Sequence, residues 1–179
     1  AQMEVSGCEL FADLKYDRTY LRVAGGITMQ EISGAAVGKI GTIPDTALDG
    51  SSEPRAGEPT FGLFVMVKGL GIMVAPSVFL DSVGGGVFIN PTNEDIDTVL
   101  AVAGFDRPEL KDDIDEMRPA GGGDPGSFAV MLLAGVYVAE RTLVQGEALI
   151  TLTANYFSLD AQVTALEGML SGRSYFLIS

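Results

Sequence analysis

Short apolar runs separated by turn residues dominate the sequence. The runs are rich in Val, Ile, Leu, Phe and Tyr, and Gly, Pro, Asp, Asn or Ser residues stand between them. Many short runs of this kind predict a mainly β fold. Several runs are continuously apolar where a strand with one face in water would alternate, so we expect both faces of those strands to be covered. The predicted strands are Cys8 to Leu14, Thr19 to Val23, Phe61 to Val67, Ile72 to Val74, Val78 to Leu80, Val87 to Ile89, Thr98 to Val102, Phe128 to Ala139 and Ala148 to Leu152.

A helix and a final strand are predicted at the C-terminus. From Ser158 onward, apolar residues recur at the spacing of one helical face, and Ser158 can cap the first turn. Asp160 has the charge that the start of a helix favours, and Gly172 is suited to end the helix. The apolar tail from Ser174 to Ser179 then indicates a terminal strand that docks on this chain or on a neighbour. The apolar residues of the predicted helix are Leu159, Val163, Leu166, Met169 and Leu170.

Two long polar segments interrupt the apolar pattern. Residues 42–60 contain prolines and several turn residues, and residues 105–127 contain an acidic stretch followed by a Gly-rich run. Both are expected to be surface loops, and either could carry a contact surface. A chain of 179 residues is the size of one domain, so we expect residues 1–179 to form a single domain with these two long loops.

Charge and composition exclude several kinds of function. The chain has 24 acidic and 11 basic residues and a net charge of -13, so it repels nucleic acid and would attract a basic protein partner. It contains no His and a single cysteine, Cys8, which removes the usual zinc sites, His-based catalytic triads and an internal disulfide. The longest apolar run, Phe128 to Ala139, is too short for a membrane-spanning helix, and no signal peptide is visible. We therefore predict no metal site and no membrane span, and the compartment is undetermined.

Three segments resemble the motifs of SET domains, the lysine methyltransferase fold. Gly7 to Ala12 reads GCELFA and is similar to the first SET strand, with Glu9 in place of its second glycine. The segment from Asp81 to Asn93, DSVGGGVFINPTN, is similar to the central motif, with Pro91 where the family has His. The closing motif is matched by Ala139, Arg141, Leu143, Gly146, Glu147 and Leu149.

The resemblance implies a SET-like β-clip whose chemistry is degenerate. In the family, the first motif brings the backbone close to S-adenosylmethionine, and the central motif binds its adenine. The matching positions, Gly7, Phe88 and Asn90, would then be vestigial cofactor positions. The position of the catalytic tyrosine holds Thr153, and Tyr156 lies three residues later. Tyr156 would be catalytic only if the chain were an active methyltransferase.

Structural roles offer an alternative reading of each of these residues. Asn90 followed by Pro is a common way to end a strand, and Tyr156 and Phe157 suit a core. The glycine triplets at residues 84–86 and 121–123 lack the Lys and Ser or Thr of a P-loop, so they are interpreted as turns. The remaining candidates, interpreted as a solvated acidic loop and not as a calcium site, are Asp112, Asp113, Asp115 and Glu116.

The leading hypothesis is a catalytically degenerate SET-like domain that acts as a structural or interaction subunit of a larger assembly. Its partners would be protein subunits, it would bind no cofactor, and a virion or an organellar assembly would suit its character. The first alternative is a protein-lysine methyltransferase that uses S-adenosylmethionine. The second is an unrelated β-barrel or jelly-roll protein of the capsid or decoration type.

Overall fold

Among the residues that the structure describes, one antiparallel sheet of ten strands makes up most of the fold. The computed structural model describes residues 2–5, 8–16, 20–42, 57–105 and 127–178, with side chains from Ala12 onward. The prediction of a mainly β fold is confirmed. The elements are β1 Gln2–Val5, β2 Cys8–Tyr16, β3 Tyr20–Met29, β4 Ile32–Thr42, β5 Pro59–Ala75, β6 Val78–Ile89, α1 Asn93–Ala103, β7 Phe128–Val138, β8 Val144–Thr153, β9 Phe157–Ala165 and β10 Leu170–Ile178.

The strands lie in the sheet in the order of the chain, and each strand pairs with its sequence neighbours. Compact turns such as residues 30–31 and 76–77 connect strands at one end of the sheet, which we call the short-turn end. At the opposite end, the connections include residues 43–58 and 90–127, so we call it the long-loop end. Most of the two predicted long loops, residues 43–56 and 106–126, lies outside the described residues.

Local signals in the sequence explain the helix α1. Thr92 caps the helix by accepting a hydrogen bond from the backbone N–H of Asp95, and the Asp95 carboxylate accepts one from the Thr92 backbone N–H. Gly104 ends the helix with a φ of 84°, in the left-handed region that favours glycine. The predicted strand from Thr98 to Val102 is therefore wrong, because the capping residues on both sides outweigh the β-propensity of Thr98 and Val99.

The helix lies against one face of the sheet, which we call the inner face; the other face is the outer face. Lys15 of β2 contacts the helix. Leu177 of β10 packs against the cluster of buried core residues to which the helix contributes. Strands from β2 to β10 therefore curve around one helix, whose diameter is about 10 Å. The buried core residues are Ala24, Ala35, Val37, Phe64, Met66, Phe88, Ile96, Val99, Leu100, Ala103, Phe105, Ala129, Met131, Leu133, Leu149 and Tyr156.

The predicted C-terminal helix beginning at Ser158 is wrong. The segment forms β9, a tight turn and β10, and these two strands pair from Phe157 with Ile178 to Ala165 with Leu170. The residues of β9 alternate strictly, with Ser158, Asp160, Gln162 and Thr164 on the inner face and apolar residues between them. Period-two alternation is the signature of a strand, and the apolar residues at helical spacing coincided with it. The predicted terminal strand from Ser174 is confirmed as the second half of β10.

Three further expectations require correction. The runs Phe61 to Val67 and Ile72 to Val74 belong to one strand, β5, and the next two runs belong to β6. Gly84, Gly85 and Gly86 are not turns, because they lie inside β6 and pair with β5 and β7. The chain itself covers only one side of the continuously apolar run in β7, since Leu132 is 54% exposed while its neighbours Met131 and Leu133 are buried, so coverage of the other side requires a partner.

The strand order lends no support to the SET resemblance. In a SET domain, the segment from Gly146 to Tyr156 would pass beneath a loop containing Asn90. Here residues 146–153 belong to β8 and pair in register with β7 on one side and β9 on the other. Asn90 directly follows β6, and its backbone N–H donates to the carbonyl of Ser127 at 2.7 Å. The assignment to the SET family stays a prediction.

Candidate functional site

The outer face of the sheet is apolar along its whole width. In every described strand from β2 to β10, alternate residues point away from the helix, and cross-strand pairing aligns them in rows such as Val65, Gly85, Leu132 and Ile150. Asp, Glu, Lys and Arg are absent from these rows among the described residues. The large apolar residues exposed there are Leu14, Tyr16, Val23, Ile27, Met29, Ile32, Ile40, Phe61, Leu63, Val65, Val83, Val87, Ile89, Phe128, Leu132, Val136, Val138, Val144, Leu152, Val163, Leu170, Phe176 and Ile178.

Aromatic residues on the outer face gather near the long-loop end. Phe61, Ile89 and Phe128 form one cross-strand row there, and Phe157 pairs with Ile178 a few strands further on. Tyr16 ends β2 at the same margin and is 71% exposed. The outer face toward the short-turn end is aliphatic instead, with residues such as Met29 and Val138.

The inner face carries the charged residues of the sheet, and they hold the first turn of α1. The Arg22 side chain donates to Asp95 through Nε at 3.0 Å, and Lys39 Nζ donates to the other Asp95 oxygen at 2.7 Å. All three side chains are buried. Arg22 and the more exposed Lys15 also pair with Glu94. The ring of Tyr20 lies 5.1 Å from the Lys39 ammonium and adds a cation–π contact.

Burial affects the two cations of this cluster differently. Desolvation lowers the pKa of Lys39, and the attraction of Asp95 only partly offsets it. For Arg22, desolvation also acts to lower the pKa, but Asp95 and Glu94 outweigh it and the pKa is raised. Glu94 is partly desolvated, yet its hydrogen bonds to Lys15 and Arg22 leave its pKa lowered. The cluster is therefore a charge-compensated anchor for the helix.

A second clamp holds the C-terminal end of α1. Lys68 of β5 donates to the carbonyl oxygen of Ala103 at 2.8 Å, where the helix dipole favours a cation. The same ammonium pairs with Glu147 of β8 at 2.9 Å. Glu147 also accepts hydrogen bonds from Ser82 at 2.7 Å and from Gln162 at 2.9 Å. Both ends of the helix are thus bound to the inner face by charged residues.

The described site residues predicted from the sequence either pack in the core or lie at the ends of strands. Phe88 and Tyr156 belong to the core cluster, which confirms the core role suggested for Tyr156. Asn90 ends β6, as its Asn-Pro sequence suggests, and its side-chain amide donates to the carbonyl of Pro59 at 2.8 Å. Thr153 closes the turn between β8 and β9, because its hydroxyl accepts from the backbone N–H of Tyr156 at 2.9 Å. Gly7 lies outside the described residues.

Two residues of the resemblance do come together at the short-turn end. Arg141 donates to Asp81 at 2.6 Å, and Gln145 donates to the other Asp81 oxygen at 3.0 Å. The hydrogen bond to Asp81 raises the pKa of Arg141, and Glu31 contributes a further hydrogen bond. This cluster joins the β6 bulge to the turn between β7 and β8, which is a structural role.

The acidic residues 112–116 lie outside the described residues. Within the described ranges, no group of three or more His, Cys, Asp and Glu residues is arranged to hold a metal ion. Among the same residues, no helical segment combines the length and the apolar character that crossing a bilayer would require. Comparisons with protein-family models, curated proteins and solved structures found no match for this chain.

The residues that sequence reasoning missed are the isolated charges in apolar strands. Arg22, Lys39 and Lys68 each interrupt a run of apolar or small residues, as in LRVAG, VGKIG and VMVKG. An isolated charge in such a run is the signal that could have identified the inner face. The partners Asp95 and Glu147 are distant in sequence, so the pairing itself could not be predicted.

Proposed function

We propose that this chain is a structural protein that works by burying the outer face of its sheet within a larger assembly. The observation that carries the proposal is the outer face itself, which is apolar, exposed and free of charged residues across the described strands from β2 to β10. The proposal keeps the structural role predicted from the sequence and does not depend on SET ancestry.

The size of this face supports the proposal. The nine strands from β2 to β10, spaced by about 4.8 Å and each with at least nine residues rising about 3.3 Å, give a projected area of about 1,300 Å². The largest apolar patch on a typical monomer is about 300–600 Å². Removing apolar surface from water contributes about 25 cal/mol per Å², so covering this face is strongly favourable.

The contacts of the inner face also favour a structural role. The buried carboxylates of Asp95 and Glu147 have partners that fix the helix or join strands. Of the vestigial positions of the SET resemblance, Phe88 packs in the core and Asn90 donates a hydrogen bond to the carbonyl of Pro59 at the end of β6. The methyltransferase alternative is favoured by none of these contacts. Its direct test is calorimetry with S-adenosylmethionine, in which micromolar binding would revive it.

Sedimentation velocity of the purified chain tests the proposal. In buffer without detergent, we expect the wild-type chain to self-associate and to bind a hydrophobic dye strongly. In mild detergent, we expect a uniform species with the same β-sheet circular dichroism. A chain that stays monomeric at tens of micromolar in plain buffer, without dye binding, would contradict the proposal, because its outer face would then tolerate water.

A further inference from the structure

The lengths of the strands match the thickness of a lipid bilayer. A strand that crosses the hydrocarbon core, about 30 Å thick, at a tilt needs about 9–11 residues. Strands β3, β4, β7 and β8 have 10 or 11 residues, and β2, β9 and β10 have 9. Strand β5, with 17 residues, continues past β4 at the short-turn end, whereas β6, with 12 residues, ends level with β7, since Val78 pairs with Val138. The apolar rows of the outer face therefore have the height of a hydrocarbon layer.

Charge is distributed as a hydrocarbon partner would require. The ionic groups of the strands point to the inner face, where Arg22, Lys39 and Lys68 have acidic partners. Charged residues such as Glu31 and Glu140 lie in the turns at the short-turn end, beyond the apolar rows. A protein partner of this size would normally offer or require polar contacts at its rim, about one hydrogen bond per 100–200 Å². Side chains on the outer face provide few, since Tyr16, Thr42 and Ser174 carry the hydroxyl groups of its described rows.

The aromatic margin agrees with a bilayer boundary. Aromatic side chains are enriched where hydrocarbon meets headgroups. On the outer face, Tyr16, Phe61, Phe128, Phe157 and Phe176 all lie toward the long-loop end of their strands. They would occupy one boundary of the hydrocarbon layer, while aliphatic residues fill its interior.

The shape of the outer face argues against a second copy as its cover. The sheet curves around α1, so its outer face is convex. Two convex faces of this kind would touch along a narrow strip. Fluid acyl chains, by contrast, cover a convex surface completely.

We propose that the outer face contacts the acyl chains of a lipid bilayer, with the strands crossing the hydrocarbon layer and α1 enclosed on the inner face. This inference rests on the structural role proposed above and names the partner of the same face. Hydrocarbon offers no hydrogen-bond partners, so the backbone groups of the outermost strands β1 and β10 are expected to be paired in the membrane.

Tryptophan fluorescence can test the inference directly, because the chain contains no Trp. Leu132→Trp places an indole in the middle of β7 on the outer face, and Thr142→Trp places one in the exposed turn beyond β7. Each variant is reconstituted into phosphatidylcholine vesicles with or without bromine atoms halfway along the acyl chains. Bromine quenches indole only on close approach, so we expect Leu132→Trp to lose most of its fluorescence and Thr142→Trp to keep most of it.

Controls keep the result interpretable. Circular dichroism verifies that each variant retains the β-sheet signal, and Val87→Trp on β6 replaces Leu132→Trp if the latter does not fold. Extraction of the vesicles with alkaline carbonate removes protein that only adheres to their surface. We expect the reconstituted chain to remain with the lipid after this extraction.

The outcomes separate this inference from the proposed function. Equal quenching at both positions, no quenching at Leu132→Trp, or full extraction by carbonate would overturn the lipid contact. If the wild-type chain nevertheless self-associates in detergent-free buffer into a defined oligomer, the structural role stands and protein is the partner. If it is instead a stable monomer without dye binding, the structural role falls as well.

Discussion

At the scale of single residues, Asp95 joins the first turn of α1 to strands β3 and β4. It accepts hydrogen bonds from Arg22, Lys39 and the backbone N–H of Thr92, and it is 1% exposed. Asp95→Asn would leave the buried Lys39 without its carboxylate partner and Arg22 paired with Glu94 alone. Breaking a buried ion pair from one side costs about 3–5 kcal/mol, and we expect a loss of unfolding free energy in that range. Urea denaturation under matched solvent conditions measures it.

Glu140→Gln is the matched control for this substitution. It also replaces a carboxylate with the amide of the same shape, but on an exposed residue in the turn after β7. We expect a change within about 0.5 kcal/mol, as is usual for surface substitutions. Equal effects of the two substitutions would show that Asp95 is not the anchor of the helix.

The lowered pKa of Glu94 predicts a specific dependence of stability on pH. The folded state holds this pKa below the ordinary value of 4.5, so the folded state binds fewer protons than the unfolded state in that region. The stabilisation is therefore complete above the ordinary value and is lost as pH falls through the lowered value. Glu94→Gln should remove this part of the acid sensitivity, measured as the difference in urea midpoint between wild type and variant from about pH 6 to pH 3.

Salt provides the control for the Glu94 prediction. Its side chain is 53% exposed and its partner Lys15 is 52% exposed, so we expect a modest difference that shrinks at high ionic strength. Wild-type and Glu94→Gln midpoints that run parallel across the whole pH range would refute the assignment of acid sensitivity to this residue.

At the scale of elements, β6 combines two kinds of glycine in one triplet. A Cβ on Gly86, which points inward, would lie 2.5 Å from the Leu63 carbonyl oxygen and 2.6 Å from Phe64 Cα. A Cβ on Gly85, which points outward, would meet Leu132 Cδ2 at an ordinary 3.6 Å. We expect Gly86→Ala to cost about 1–3 kcal/mol through overpacking against backbone. Gly85→Ala should be neutral or slightly stabilising, because alanine reduces the freedom of the unfolded strand.

This adjacent pair also tests the assignment of the two faces. Thermal or urea unfolding of both alanine variants under the same conditions gives the comparison. If Gly85→Ala were the more damaging of the two, the inner and outer faces of β6 would be reversed, and the charge-free outer face would no longer be defined.

The mainly β fold could be predicted from the sequence, but the assignment of single elements depended on which signal dominated locally. The runs in β5, β7 and β8 and the final strand were predictable from composition. The helix predicted from Ser158 onward was wrong because the apolar residues of this segment satisfy both a helical and an alternating pattern. The strand predicted from Thr98 to Val102 was wrong because the capping residues Thr92 and Gly104 favour a helix there. Strand propensity is a weaker signal, since it depends on burial and on neighbouring residues.

The outer face was partly predictable as well. The sequence predicted strands covered on both faces and a subunit role in an assembly, yet it could not show that the apolar residues of neighbouring strands share one face. That conclusion requires the register, in which residues such as Val65 and Leu132 fall in one row on either side of Gly85. The inner-face anchors required tertiary structure too, since Lys39 and Asp95 are separated by 56 residues.

At the scale of the whole molecule, an arginine scan along β7 distinguishes water, protein and lipid as the environment of the outer face. Leu132 lies near the middle of β7 and Val138 at its last position, and they are 54% and 40% exposed. In water, an arginine at either exposed site would change stability by less than about 0.5 kcal/mol. In a bilayer, arginine costs about 2–4 kcal/mol at the midplane and about 0–1 kcal/mol near the boundary.

We therefore expect Leu132→Arg to reduce the unfolding free energy in lipid vesicles by about 2–4 kcal/mol and Val138→Arg to reduce it by less than about 1 kcal/mol. Urea titration of the vesicle-bound chain, followed by tyrosine fluorescence, gives both values. The ratio of the two losses of unfolding free energy matters more than either loss alone. In a buried protein interface, the cost of an arginine would depend on local packing and not on its height along the strand. Equal penalties at the two positions would favour a protein cover, and the absence of any penalty would indicate a face in water.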